Sequence, residues 1–361
     1  MHTLKVGLKN RSYNIIVGQG ALRRLASHIK ALGLGDLAYI ITNRSIKKRH
    51  GARLNKVLKQ ARIERRFKLV ADSEKSKSLE TVSSIISEIT AYDKNKKIFI
   101  IAFGGGVIGD LSGFVASVYK RGIAYIQVPT TLLAQVDSSI GGKTAVDLKE
   151  AKNLVGAFYQ PRLVCSEIEF LKTLNLRQLR SGLAEAIKYG IIKEAGFFHY
   201  LEKRYKDALL LKSSAIDFIV KRCSSIKADF VSRDEREEKG IRTALNFGHT
   251  IGHALEAASG YTAYNHGEAI ALGMLVAADI SRRLGLIDNA TLARIERLIR
   301  AVGLPLRIRG VNLKSIIEAY YHDKKFRGSK NRLVLISAIG RARIVEEIPL
   351  ALIKEAIEGR S

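Results

Sequence analysis

Tryptophan is absent from this 361-residue chain, and aromatic residues make up only 7% of it. Unpaired nucleic-acid bases stack on aromatic side chains, so a chain this poor in them offers few stacking platforms. Cysteine occurs twice, at Cys165 and Cys223. Two distant thiols cannot form a disulfide framework and suit a reducing, cytoplasmic setting. No stretch approaches the roughly 18 uncharged apolar residues of a membrane helix. The opening Met1-His2-Thr3-Leu4-Lys5-Val6 has no long apolar run and no small-residue cleavage site, so no secretory signal is expected. Acidic residues are scarce, 34 against 61 Lys and Arg, which leaves a net charge of +27. Such an excess could serve nucleic acid, an anionic substrate or a generally basic proteome. It is spread over Arg44 to Arg53, Arg62 to Lys68 and Lys94 to Lys97 with no basic tail, so it reads mostly as solvated surface. No specific nucleic-acid partner and no membrane partner are expected.

What is present is enough apolar sequence, 47%, for a large core. The length suggests two domains at about 150 residues each. Strand-like and helix-like stretches alternate from Tyr13 to Ala91: strands at Tyr13 to Val17, Leu37 to Thr42 and Arg66 to Val70, helices through Ile29, through Gln60 and from Leu79 to Ala91, and a polar loop over residues 72–77. Asn43 is a candidate turn or helix cap. This alternation predicts a parallel sheet covered on both faces, with ligands beyond the carboxyl ends of its strands. Asn43, Glu74, Gly105 and Thr130 follow predicted strands and are candidates to line one crevice. From about Leu171 the pattern turns mainly helical, with helices at Gln178 to Glu194, Phe197 to Leu211, Ala215 to Val231, Thr243 to Ala258, Glu268 to Leu284, Ala290 to Val302 and Asn312 to Tyr321, and strands at Arg332 to Ser337 and Ala342 to Glu346. The expected organisation is an α/β nucleotide-binding domain over 1–165 and a mostly helical domain over 166–361.

The most informative stretch runs from Lys97 to Gly156. Ile98 to Phe103 is an apolar run suited to a strand buried on both faces. Gly104-Gly105-Gly106 then opens a helix. Without Cβ atoms a ligand can come close to the backbone, positive φ costs little, and the helix N-terminus points N–H groups at an anion. Gly104, Gly106 and Gly109 spell G-x-G-x-x-G, but Lys120 and Arg121 stand where a dinucleotide fold of the usual kind has its acidic residue. The chemistry predicted is phosphate binding. The competing structural reading is a tight strand-to-helix turn.

In the second half, Asn246, His249 and His253 fall at i, i+3 and i+7, on one face of a helix over Thr243 to Ala258. Gly248 and Gly252 let a neighbour pack closely. His266 follows, and Glu185 and Lys188 lie one turn apart on an apolar helix. A carboxylate with two or three imidazoles is a donor set for a catalytic Zn²⁺, and spacing leaves open which histidine is not a ligand. Lys143, Lys152, Lys188, Lys227 and Lys324 sit in glycine-rich or apolar surroundings, where a desolvated ammonium needs an anionic partner.

Taken together, Gly104 to Asp110, Val128 to Ser139, Gly141 to Thr144, Gly182 to Glu185, Asn246 to His253 and His266 to Glu268 resemble the 3-dehydroquinate synthases. That family belongs to a superfamily with glycerol dehydrogenases, iron-dependent alcohol dehydrogenases and other sugar phosphate cyclases. The resemblance is ordered and covers nearly the whole chain. It implies NAD, one divalent metal (Zn or Co), and a lyase reaction of the shikimate pathway. In that reaction 3-deoxy-D-arabino-heptulosonate 7-phosphate becomes 3-dehydroquinate and phosphate through transient oxidation by NAD, phosphate elimination, re-reduction and aldol closure. It implies metal ligands Glu185, His249 and His266, with His253 facing the substrate. It implies NAD contacts from Asn43, Glu74, Lys77, Gly105, Gly106, Val107, Asp110, Thr130, Thr131, Asp137, Ser138, Lys143, Lys152 and Thr173. Substrate would be held by Lys143, Asn153, Lys188, Lys227, Arg242, Asn246, His253 and Lys324, with Lys143, Lys188, Lys227, Asn246 and His253 in catalytic positions. Arg121 resembles a residue given across a homodimer interface to the phosphate site. The leaving phosphate can act as its own base. The chain departs from the family at Asn43, in a loop that is usually more acidic, and at Asn175, where proline is usual. The alternative within the same superfamily is another sugar phosphate cyclase or an NAD-dependent polyol dehydrogenase.

Overall fold

The computed structural model describes residues 1–93, 96–148, 151–322 and 331–361. They divide into two compact units, Met1–Asn175 with Ile216–Arg236, and Leu176–Ala215 with Glu237–Ser361.

The first unit is built on a seven-stranded sheet in the order β1-β2-β9-β6-β5-β3-β4. Its strands are β1 (His2–Val6), β2 (Tyr13–Gly18), β3 (Leu37–Asn43), β4 (Glu64–Val70), β5 (Ile98–Gly104), β6 (Tyr125–Pro129) and β9 (Leu163–Glu167). Only the β1–β2 pair is antiparallel; the other pairings are parallel. β3 and β5 are buried at every position, as strands covered on both faces must be. Helices α1 (Ala21–Ala31) and α2 (Arg44–Gln60) share one apolar layer with the sheet. Helices α3 (Leu79–Tyr92) and α4 (Gly106–Val118) pack into the other. In α1, Ala21, Leu22, Leu25 and Ile29 form the buried stripe, each large side chain contributing roughly 1.5–3 kcal/mol. The edge strand β4 carries Arg65, Arg66 and Lys68, charges that discourage pairing with a further strand. A hairpin of β7 (Lys143–Val146) and β8 (Val155–Phe158) completes the unit. The chain leaves β3 toward β4 on one side and returns as β5 on the other. That reversal is the switch point of the sheet, and a crevice opens beyond the carboxyl ends of β3 and β5.

In the second unit, α5 (Leu176–Lys193) and α6 (Ala195–Leu209) come first. The next helix, α7 (Ser213–Arg233), gives residues from Ile216 onward to the first unit. There the Asp217 carboxylate lies 2.9 Å from His2 Nε2, and Ser232 Oγ accepts from the Gly7 N–H. The second unit continues with α8 (His249–Ala258), α9 (His266–Arg283), α10 (Asn289–Val302), α11 (Leu313–His322), the hairpin β10 (Arg332–Ala338) and β11 (Arg341–Glu346), and α12 (Leu350–Glu358). Both α5 and α9 are buried nearly all round, the mark of central helices.

Most elements fall where the hydrophobic pattern puts them, and Asn43 caps α2 by accepting from the Ile46 N–H. One helix does not. The stretch Thr243 to Ala258 is a 3₁₀ turn over Arg242–Asn246 followed by α8, broken at Gly248 with φ of 77°. Asn246 therefore precedes the helix that carries His249 and His253. The glycine is forced by packing, because a Cβ there would stand 2.7 Å from Met274 Cγ and 2.8 Å from Met274 N.

Candidate functional site

In the first unit the glycine turn lies between β5 and α4. None of Gly104, Gly105 and Gly106 has positive φ, so the conformational half of the sequence argument does not apply to them. Space does apply. A Cβ on Gly104 would meet Ile108 at 2.6 Å, and one on Gly106 would meet Ser138 Oγ at 3.2 Å. Gly105 caps α4 without a side-chain bond, so no capping side chain occupies the first amides of α4. Thr130 and Thr131 follow β6, with Thr131 Oγ1 accepting from the Ala134 N–H. The chain then makes one turn of π-helix over Ala134–Ser138, a rare form that recurs at functional sites. That turn presents Asp137, whose carboxylate and carbonyl receive Lys227 Nζ at 2.7 and 2.8 Å.

A second set of predicted residues meets around Lys77, which the sequence reading put in a polar loop but which is only 3% exposed. Its ammonium donates to Asp110 Oδ2 at 2.9 Å and Asn153 Oδ1 at 2.5 Å, with Glu74 and Asp147 within 4 Å. Lys152 lies 3.6 Å from Glu74. Burial works to lower the Lys77 pKa, but Asp110, Glu74 and Asp147 overcome it and raise it. Burial also raises the pKa of Asp110, against the pull of Lys77. Asn43 donates to Asp72 Oδ1. Thr173 ends the 3₁₀ helix that follows β9, where its hydroxyl meets His50 Nε2 at 3.0 Å and its carbonyl accepts from Arg49. His50 was not singled out in the sequence; helix periodicity alone gives a buried histidine in α2 no functional signal.

Lys143 begins β7 and is exposed. One predicted residue lies apart. Arg121 lies past the far end of α4, about 20 Å of helix from Gly106. There Lys120, Arg121 and Gly122 have φ of 49°, 63° and 124°. This strained run is pinned where the Asp93 carboxylate meets Lys120 Nζ and the Tyr119 hydroxyl. Lys324 lies outside the described residues.

In the second unit three helices cross with almost no side chain between them. A Cβ on Gly273 of α9 would lie 2.0 Å from Gly248 O and 2.8 Å from Gly252 N of α8. One on Gly267 would lie 2.3 Å from Ser181 Cα of α5. These contacts bring Glu185 of α5, His249 of α8 and His266 of α9 together, with ligand-type atoms within 4.8 Å of one another. Glu185 Oε1 is 3.5 Å from His249 Nε2 and 3.4 Å from His266 Nε2. His266 is the first residue of α9, set by a capping box in which Asn265 and Glu268 exchange bonds; Arg177 grips Glu268 with two more. Glu185 is fully buried and paired with Lys188, itself 1% exposed.

The two imidazoles titrate in opposite directions. Burial, then Lys188 and the neighbouring rings, holds His249 well below the usual histidine range. Burial also acts against a charged His266, but the Glu185 and Glu256 carboxylates outweigh it and raise its pKa to about 10. Glu185 is buried and the two rings half-buried, and carboxylate plus two imidazoles is a zinc-type donor set. A second donor group, His253, Glu256 and His266, shares one ring with the first. Arg242 is 2% exposed, with Nε 3.5 Å from Glu237.

Among known proteins, residues 67–181 match the family described as 3-dehydroquinate synthase N-terminal, and residues 182–326 the one described as 3-dehydroquinate synthase C-terminal. A 3-dehydroquinate synthase of Desulforamulus reducens is 42% identical over 96% of this chain and 97% of its own. A crystal structure of 2-deoxy-scyllo-inosose synthase with carbaglucose-6-phosphate, NAD⁺ and Co²⁺ superposes over all of both chains with a TM-score of 0.91 at 28% identity. The 2-epi-5-epi-valiolone synthase of Streptomyces hygroscopicus, solved with NAD⁺ and Zn²⁺, covers 98% of both chains with a TM-score of 0.87 at 26% identity.

Proposed function

This chain belongs to the 3-dehydroquinate synthase family, and from that premise we propose that it is a cytoplasmic lyase converting 3-deoxy-D-arabino-heptulosonate 7-phosphate into 3-dehydroquinate and phosphate. The observation that carries the reading is the convergence of Glu185, His249 and His266 from three glycine-locked helices. Both cysteines are buried and in no disulfide, which suits a reducing compartment. No helix among the described residues is long and apolar enough to cross a membrane.

The first unit would hold NAD through Asn43, Glu74, Lys77, Gly105, Gly106, Val107, Asp110, Thr130, Thr131, Asp137, Ser138, Lys143, Lys152 and Thr173, the head of α4 suiting its phosphates. The second takes one divalent ion, Zn or Co, on Glu185, His249 and His266. When bound, NAD supplies reversible hydride transfer and the ion polarises substrate oxygens. The protein's own part is charge and position. Lys188 is the ion-pair partner of the Glu185 carboxylate. The family pattern assigns the substrate's carboxylate and phosphate to Lys143, Asn153, Lys188, Lys227, Arg242, Asn246 and Lys324; of these, Lys227 is anchored by Asp137. His253, next to His249 with ring centroids 5.4 Å apart, moves a proton on the substrate side. Arg121 reaches the phosphate of a partner subunit in a homodimer; its pinned, left-handed backbone supports a role in which the side chain is held outward.

The test is phosphate release from the heptulosonate phosphate by metal-loaded protein, with and without NAD, while following reduced cofactor. Release that needs NAD yet accumulates no NADH is expected. Steady NADH formation would assign the chain to the dehydrogenases of the superfamily. Release from another sugar phosphate alone would make it a different cyclase. Mixing an Arg121→Ala chain with a Lys188→Ala chain tests the dimer, since hybrid dimers should regain activity.

A further inference from the structure

We propose that Glu256 is a positioning residue for the cation site: its carboxylate braces Nδ1–H of His266, which fixes the tautomer whose Nε2 is free to bind metal. The inference rests on the metal reading above and adds to it a residue outside the donor set.

Glu185 Oε1 faces Nε2 of both histidines, at 3.5 and 3.4 Å. The Nδ1 atoms face away from it, each toward an acceptor. His249 Nδ1 lies 3.1 Å from the carbonyl oxygen of Phe247, and His266 Nδ1 lies 3.6 Å from Glu256 Oε1. A neutral imidazole has one N–H and one lone pair, and the acceptor at one nitrogen decides which nitrogen keeps the lone pair. Both rings are thus set to offer Nε2 to the same point, one by a peptide carbonyl and the other by a carboxylate. At 3.6 Å the carboxylate stands just beyond hydrogen-bond distance and acts through its charge, which favours the proton on Nδ1 and raises the basicity of the ligating nitrogen. Placement follows from the helix. Glu256 is seven residues after His249 on α8, hence on the same face, and its side chain is 14% exposed. One face of α8 therefore supplies a ligand for the ion and the brace for the ligand that α9 supplies.

Zinc affinity of the purified chain, measured by competition with a chromophoric chelator, tests the proposal alongside the visible spectrum of the cobalt-loaded protein. Glu256→Leu is expected to weaken zinc binding about 10–100-fold. Glu256→Gln, which keeps an acceptor oxygen without the charge, should lose less and keep the cobalt band shape. Circular dichroism monitors folding, and should the leucine variant not fold, the glutamine variant carries the comparison. Wild-type affinity in both Glu256 variants, with His266→Ala strongly weakened, would overturn the positioning role and leave the metal reading standing. Wild-type affinity in His266→Ala and Glu185→Ala would sink the metal reading itself. A changed cobalt band in Glu256→Gln would also overturn the proposal, because Glu256 would then be a ligand in the group with His253 and His266.

Discussion

At the head of α4 the groups offered to a ligand are main-chain N–H bonds, whereas at the crossing of α5, α8 and α9 they are a carboxylate and two imidazoles. The first arrangement needs only a strand, a helix and room at Gly104 to Gly106. The second needs three helices held at separations that no side chain permits, which is why Gly248, Gly252, Gly267 and Gly273 stand at the contacts. Glycine thus serves two purposes in one chain: it lets Ile108, Thr131 and Ser138 close in on the turn before α4 in the first unit, and it lets backbones approach each other in the second. The sites should fail differently, one through lost binding with the fold intact, the other through lost packing that takes binding with it.

The sharpest separation comes from Glu185→Gln. It removes a ligand and strips the buried Lys188 ammonium of its carboxylate, so stability should fall by about 3–5 kcal/mol and metal binding should vanish. Cofactor binding by the first unit should stay near wild type. Urea denaturation, zinc titration and NAD titration check the three, and an equal loss of NAD affinity would break the contrast. Gly273→Ala comes next. A methyl group 2.0 Å from Gly248 O forces α8 and α9 apart, at about 1–3 kcal/mol, and zinc affinity should drop although no ligand is touched. In the first unit, Gly106→Ala meets only the rotatable Ser138 hydroxyl at 3.2 Å. It should cost under about 1 kcal/mol of stability yet weaken NAD by up to roughly tenfold, about 1.4 kcal/mol, because the methyl stands where phosphate approaches.

The same contrast sets how much was legible beforehand. β3 and β5 announce themselves as unbroken apolar runs, and the glycine turn marks where the anion should go. β1, β7, β8, β9 and α12 were not anticipated: β7 and β8 have four residues each, too short for a period to show, and Leu163-Val164-Cys165 is an apolar run hidden behind Pro161. The break at Gly248 was invisible because it answers to Met274, a residue far along the chain. In the metal group, spacing put His249 and His253 on one helix face with His266 further along, but which two share Glu185 depends on the start of α9. That assignment came from resemblance, and the distances are its first geometric support. The buried role of Lys77 was likewise beyond reach, since Asp110 and Asn153 lie 33 and 76 residues away.

The smallest expected effect sharpens the contrast from the other side, because it asks whether the backbone site of the first unit also leans on a side chain. His50 meets the Thr173 hydroxyl at 3.0 Å. Burial, then Arg53 and Arg49, holds its pKa below the ordinary 6.5. Above that pH the ring is neutral folded and unfolded, and its contribution is complete. As pH falls, the unfolded chain takes up a proton that the folded chain resists, so stability is lost toward the folded-state pKa, at no more than ~1.4 kcal/mol per pH unit. His50→Gln keeps a polar partner for Thr173 and cannot titrate. The difference between wild type and variant in urea denaturation should therefore be flat near neutral pH and change on the acid side, with NAD affinity following the same profile. Identical profiles would mean that the 3₁₀ turn ending at Thr173 holds without His50.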